Sequence, residues 1–196
     1  MHTVPFEVVL ASSSPQRRSL LRRVISEFEV MEPDAEEVLI PGADPESLAR
    51  CLAEAKAEDV ARKRPGALVI GADTVVECQG EVIGKPADRA DAVRMLTKLT
   101  SHPHRVITGL CVVAPDGTRR SVISVARVRM RKLSRGEIEH YVDSERPMDR
   151  AGAYGLKELD SNVLSLEGSA SAVIGLPLEE LESMLRSIYP GGAQSG

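Results

Sequence analysis

The sequence predicts an α/β domain, and three observations carry that reading. Short apolar, β-branched runs alternate along the chain with segments of helical periodicity. Serine, aspartate and proline repeatedly stand where a helix would begin. At 196 residues and 42% hydrophobic content, the chain can bury one ordinary core.

FEVVLA, from Phe6 to Ala11, reads as a buried strand. Ser12, Ser13 and Ser14 then lead into Pro15. A serine cap followed by proline at the first helical position is a start signal, and the helix should run to about Ile25 with Leu20, Leu21, Val24 and Ile25 inward. After the acidic stretch MEPDAEEV, Asp44 and Pro45 open a second helix with Leu48, Leu52, Ala55 and Val60 on one face, ended by Arg64, Pro65 and Gly66. Lys56 projects from it. A buried strand from Leu68 turns near Gln79 and Gly80 and returns as a short hairpin partner.

Ala92, Val93, Met95, Leu96 and Leu99 mark a third helix that stops near Ser101. His104 to Ala114 is apolar and β-rich, Pro115, Asp116 and Gly117 form a turn, and Val122 to Arg131 alternates like a half-exposed antiparallel strand. Ser134 to Glu137 spells a capping box for a short helix. Ala151 to Gly155 looks like a tight loop, Asn162 to Leu166 like another strand, and Pro177 introduces an amphipathic helix over Leu178, Leu181, Met184, Leu185 and Ile188. No repeat or long linker divides the chain, so one domain with a cleft is expected over residues 1–190, with 191–196 a disordered tail.

Composition narrows the function. A net charge of -4 and a pI near 5.7 argue against a nucleic-acid binder, and 3% aromatic content leaves no stacking platform for single strands. Any anion site must be local. Cys51, Cys78 and Cys111 have no zinc-like spacing and read as free thiols in a reducing cytosol. No apolar run approaches membrane-spanning length, and nothing at the N-terminus reads as a secretory signal. A soluble cytoplasmic protein without a membrane partner is the expectation.

Two segments suggest chemistry, because ligands of α/β sheets gather at the carboxyl ends of strands. The first is LASSSPQRRSLL. Ser12, Ser14 and Arg17 stand with the backbone N–H groups of a helix start, which either hold an anion or only cap the helix. The second is GADTVV. Asp73 interrupts an apolar strand, and a desolvated carboxylate costs several kcal/mol unless a cation, metal or donor meets it. Thr74 beside it offers a hydroxyl donor to the same ligand. Lys85 follows the return strand; Lys56 alone reads as a solvated lysine, and Glu36 and Glu37 as a solvated acidic face. Taken together, anion donors, two lysines and strand-end carboxylates are what hydrolysis of a metal-bound polyphosphate needs. No GxxxxGK[ST] or GxSxG occurs, and His102 and His104, flanking Pro103, read as loop residues without a catalytic role.

LASSSPQRRSLL resembles the opening motif of Maf proteins, LASxSPRRxxLL, and IGADTVV, GKP, HRVITGL, DRAGAYG and VIGLPLEEL resemble their later motifs in the same order. The likeness runs from about Val8 to Leu181. It implies an elongated, twisted mixed sheet flanked by helices, related to inosine triphosphate pyrophosphatases, with two lobes around a deep cleft. It implies a metal-dependent nucleoside triphosphate pyrophosphatase using Mg²⁺ or Mn²⁺, acting most naturally on dTTP and UTP or modified pyrimidine nucleotides, and forming a homodimer.

Carried over by position, Asp73 would be the proton acceptor activating water and a metal ligand with Glu37. Ser12, Ser14 and Arg17 would hold phosphates, and Lys56 and Lys85 would neutralise the leaving pyrophosphate. Gln16, Thr74 and Lys157 would face the base. Thr74 agrees with the pyrimidine-type pattern, but two positions depart from it: Gln16 stands where that group has Arg, and Lys157 replaces a glutamine. Lysine donates to a base oxygen but cannot accept from an N–H, although Glu158 follows it. SPQRR also resembles the SPWRR of 7-methyl-GTP-preferring members, so a 7-methyl-GTP pyrophosphatase is the alternative within the enzyme class. Outside it, the alternative is a non-catalytic nucleotide-binding regulator of septum formation.

Overall fold

The computed structural model describes residues 5–35, 44–145, 147–156 and 160–189. The strands are β1 (Val8–Ala11), β2 (Glu29–Met31), β3 (Leu68–Cys78), β4 (Glu81–Ile83), β5 (His104–Val113), β6 (Arg119–Met130) and β7 (Val163–Glu167). The helices are α1 (Pro15–Leu21), α2 (Pro45–Lys63), α3 (Arg89–Ser101), α4 (Arg135–Glu145), α5 (Ala170–Ile174) and α6 (Leu178–Ile188). The seven strands form one mixed sheet in the order β2-β1-β3-β5-β6-β7, with β4 also on β3. β1 runs parallel to β2 and β3; the other pairings are antiparallel. The predicted α/β class and the mixed, helix-flanked sheet are both observed.

Register on β3 creates the opening. One edge of β3 pairs with β5 from Val69 to Glu77. On the other edge β1 covers Leu68 to Gly71 and β4 covers Val76 to Cys78. On that second edge, between β1 and β4, no described strand pairs with Ala72, Asp73, Thr74 and Val75. Successive side chains of a strand point to opposite faces. The gap therefore presents Asp73 to one face of the sheet and Thr74 to the other.

The cores follow this division. On the Thr74 face, α1 and α6 cover β1 and the first half of β3 through Leu21, Ile70, Leu110 and Leu181. Farther along the same face, α3 and α4 cover β4 and the second half of β3 through Ile83, Leu96, Val128 and Ile138. On the Asp73 face, α2 lies along the middle of the sheet. Its contact residues are small: Ala49, Ala53 and Ala57 are all at most 1% exposed. The sheet answers with glycines. A Cβ on Gly71 would stand 2.7 Å from the Ala53 carbonyl oxygen, and one on Gly109 would collide with the backbone at Ala49. Helix and sheet thus meet almost backbone to backbone.

Several local signals act as their chemistry suggests. Asp44 caps α2 by accepting from Ser47 N–H at 2.9 Å. Gln79 and Gly80 both adopt positive φ in the β3–β4 turn, as a two-residue hairpin loop of matching twist requires. The capping box closes reciprocally: Ser134 N–H donates to Glu137 at 2.8 Å and Glu137 N–H donates back to Ser134 Oγ at 3.3 Å. Arg131 and Ser134 hold the Glu137 carboxyl down to about 2.

Other expectations need correction. Helix α1 stops at Leu21, because Arg22 caps it and a tighter turn, with Arg23 N–H donating to the Leu20 carbonyl, carries Val24 and Ile25 into the core. On α2 the inward stripe is Leu48, Leu52, Lys56 and Val60, whereas Ala55 is exposed. Lys56 is therefore a buried residue, not a solvated one. His104 is not in a loop: it begins β5, is 3% exposed, and its Nε2 hydrogen-bonds the Tyr154 hydroxyl at 3.0 Å. β2 and α5 were not anticipated, the one short and exposed, the other five small or β-branched residues without amphipathic pattern.

Candidate functional site

A cleft of ≈ 610 Å³ opens at the β3 gap, between the two lobes of the Thr74 face and reaching α2 on the other side. Its walls hold Ser12, Ser14, Gln16 and Arg17 from the β1–α1 turn, Lys56 from α2, Asp73 and Thr74 from β3, and Lys85 from the loop after β4. These eight residues, separated by up to 73 positions, were the described part of the predicted site. Glu37 and Lys157 lie outside the described residues, as do Glu36 and Glu158 and the 191–196 tail.

On the Asp73 face the site is ionic. Lys56 Nζ donates to Asp73 Oδ1, and both side chains are less than a tenth exposed. Across the strand from Asp73 stands Gly109, so no side chain intervenes between the carboxylate and the helix. This is the cation that a desolvated carboxylate demands. The close packing of α2 on Gly71 and Gly109 brings the Lys56 side chain into reach. Among the described residues no hydrogen bond engages Asp73 Oδ2. Lys85 is exposed at the rim.

The Thr74 face is built from hydroxyls and a guanidinium. Arg17 Nε donates to the Gly175 carbonyl at 2.9 Å, and Arg17 Nη2 donates to Thr74 Oγ1 at 3.4 Å. Gly175 ends α5 with φ 123°, a conformation that favours glycine, and a Cβ there would stand 3.2 Å from Arg17 Nε. Thr74 Oγ1 lies 2.9 Å from Thr108 Oγ1, and Thr108 donates to the Ala172 carbonyl at 2.8 Å. At the β1–α1 turn, Ser14 Oγ accepts from Arg17 N–H at 3.4 Å, and Ser12 Oγ accepts from Ser14 N–H at 3.1 Å. The serines therefore do cap the helix, and they line the cleft as well. Gln16 is tied in through its Oε1, which accepts from Ser14 Oγ at 3.0 Å.

The third wall is the turn over Ala151–Ala153 and the residues after it. Gly152 and Ala153 both take positive φ. Gly152 N–H donates to the Gly84 carbonyl at 2.9 Å, and Gly155 N–H donates to the Tyr141 hydroxyl at 3.0 Å. Burial pushes the Tyr154 hydroxyl up and the His104 imidazole down from their ordinary ranges. Arg150 and Asp149 line this wall and Glu32 the opposite one. Asp149 to Gly155 make up the DRAGAYG motif, but residue type alone assigns none of these a role, nor Thr108. For Thr108 the signal was present: it is a polar residue inside the apolar run from Val106 to Val113, the same irregularity that exposed Asp73.

The sequence model described as "Maf-like protein" matches residues 7–188. The chain belongs to the Maf family. Curated Maf relatives include the dTTP/UTP pyrophosphatase of Geotalea uraniireducens, 47% identical over 91% of this chain and 93% of its own. The dTTP/UTP pyrophosphatase of Symbiobacterium thermophilum is 42% identical over 95% and 98%. Among solved structures, the Staphylococcus aureus Ham1 protein shares the fold at TM-score 0.53 and 16% identity, over 92% of this chain and 98% of that one. Vibrio cholerae VC0702 does so at TM-score 0.51 and 14% identity, over 95% and 98%.

Proposed function

We propose that this Maf chain hydrolyses dTTP and UTP to the nucleoside monophosphate and pyrophosphate, with Asp73 as the proton acceptor. The supporting observation is the convergence of Asp73, Lys56 and the β1–α1 turn on one cleft, in a chain whose curated relatives carry that activity in their names. Asp73 Oδ2 takes the proton of a water aimed at the α-phosphorus, while Lys56 holds the carboxylate through Oδ1. Lys56 and Lys85 offset the charge that gathers on the departing pyrophosphate. Ser12, Ser14 and Arg17 orient the phosphates, and Gln16, Thr74 and Lys157 would determine the base.

A divalent metal fits these residues as a passenger on the substrate. Among the described residues no group of three or more His, Cys, Asp or Glu gathers into a cage. Small hard cations commonly use one or two carboxylates together with substrate phosphates. Asp73 would be one ligand, with Glu37 as the second. Such an ion supplies charge neutralisation at the phosphates.

The experiment is a panel of dTTP, UTP, CTP and 7-methyl-GTP with Mg²⁺ or Mn²⁺, followed by measurement of monophosphate and pyrophosphate. Stoichiometric pyrophosphate from dTTP and UTP is expected. Orthophosphate alone, or tight binding without turnover, would overturn the reaction. Preference for 7-methyl-GTP would overturn the base assignment while leaving the chemistry intact.

A further inference from the structure

The hydroxyls beneath the cleft have a fixed proton order. A backbone carbonyl only accepts, so the 2.8 Å contact between Thr108 Oγ1 and the Ala172 oxygen consumes the one proton Thr108 has. The 2.9 Å contact between Thr108 and Thr74 must then be a donation from Thr74. Thr74 has likewise one proton, now directed away from the cleft. Of its two lone pairs, one receives Arg17 Nη2 at 3.4 Å. Thr74 is half-exposed and lines the cleft, which leaves the other for a ligand.

We infer that Thr108, which lies beneath the cleft and does not line it, is a positioning residue that makes Thr74 an acceptor and never a donor toward the ligand, so that Thr74 selects a base carrying an imide N–H. This rests on the nucleotide reading above and deepens it. An acceptor-only hydroxyl repels a phosphoryl oxygen, so Thr74 serves the base or the sugar. The curated relatives are named for dTTP and UTP together. Those two differ at the 2′ carbon and in the base C5 methyl but share the N3–H of the pyrimidine imide, a donor that cytosine replaces by a bare acceptor nitrogen. The expectation from residue type alone, that Thr74 donates, is thereby reversed. Thr108 is fully buried, and its position is set by β-ladder pairing directly opposite Thr74.

The test measures binding of α,β-methylene analogues of UTP, CTP and N3-methyl-UTP to the full chain by calorimetry, so it does not depend on turnover. Wild type is expected to favour the uridine analogue over both others by about tenfold, the cost of one unsatisfied polar contact. Thr108→Val lets the Thr74 hydroxyl turn its proton into the cleft, and the preference should fall to about twofold or less, with the cytidine analogue gaining. Thr108→Ser keeps the relay and should restore the wild-type ratio. In a Thr74→Val background, Thr108→Val should change the ratio no further. An unchanged ratio in Thr108→Val, an equal loss in Thr108→Ser, or persistence of the effect without Thr74 would each overturn the inference. So would a wild type that binds the N3-methyl analogue as well as its parent. Failure to bind any of the three analogues would instead remove the nucleotide reading, and this inference with it.

Discussion

The two faces of β3 at the gap solve opposite problems with adjacent residues. At Asp73 the solution is a buried ion pair, held by a helix pressed onto glycines; at Thr74 it is a chain of neutral hydroxyls ending on a backbone carbonyl. An ion pair in low dielectric is intolerant of losing one member, whereas a hydroxyl chain tolerates exchange but has direction. The ionic face is suited to moving a proton and offsetting charge. The neutral face is suited to telling donors from acceptors.

Three measurements test that contrast, and a fourth probes the fold outside it. Asp73→Asn keeps the shape of the ionic face and removes its base, so kcat for dTTP should fall about 10²- to 10⁴-fold with the fold retained by circular dichroism. Lys56→Met leaves Asp73 buried without its cation. Thermal unfolding should register a loss of about 3–5 kcal/mol, and the double variant with Asp73→Leu should recover much of it. Gly109→Ala tests the packing that delivers Lys56: the new methyl meets the α2 backbone at Ala49, and overpacking of this kind costs about 1–3 kcal/mol, read from urea denaturation.

The smallest effect lies away from both faces, at His104. Its folded imidazole is pushed down by burial, so the unfolded chain takes up a proton first as pH falls. Stability is then fully present above about pH 6.5 and is lost as pH drops through that value toward the folded one, at no more than about 1.4 kcal/mol per pH unit. The melting temperature of wild type should fall between pH 7.5 and 5.5. His104→Gln should flatten that fall, and parallel curves would show that other groups carry it.

Much of the ionic face was legible because charge in an apolar run is conspicuous. Asp73 announces a buried partner by its cost alone, although whether a cation, a metal or a neutral donor is not evident from the sequence. Leu48, Leu52, Lys56 and Val60 share the four-residue spacing of one helix face, but the charge of Lys56 argues for solvent and Ala55 for the core, the reverse of what the helix does. The neutral face was harder. Thr108 shows as a polar residue in an apolar run, but its role depends on Ala172, 64 positions away, in a helix whose small residues give no amphipathic signal. The Arg17 link to Gly175 spans 158 positions and is equally invisible to local pattern. His104 was misplaced because Pro103 suggests a break, and the break is real, but it ends α3 and the very next residue enters the sheet.

The interruption along β3 has one more consequence. Bare strand margins invite other chains to add on and so seed aggregation. Here β1 and β4 stand like bookends on either side of four residues, about 13 Å at 3.3 Å each. A foreign strand finds too short a berth to lock its register, while a flat small molecule can still slip between. Among the described strands, the sheet thereby keeps an opening that is too short for another strand to fill in register.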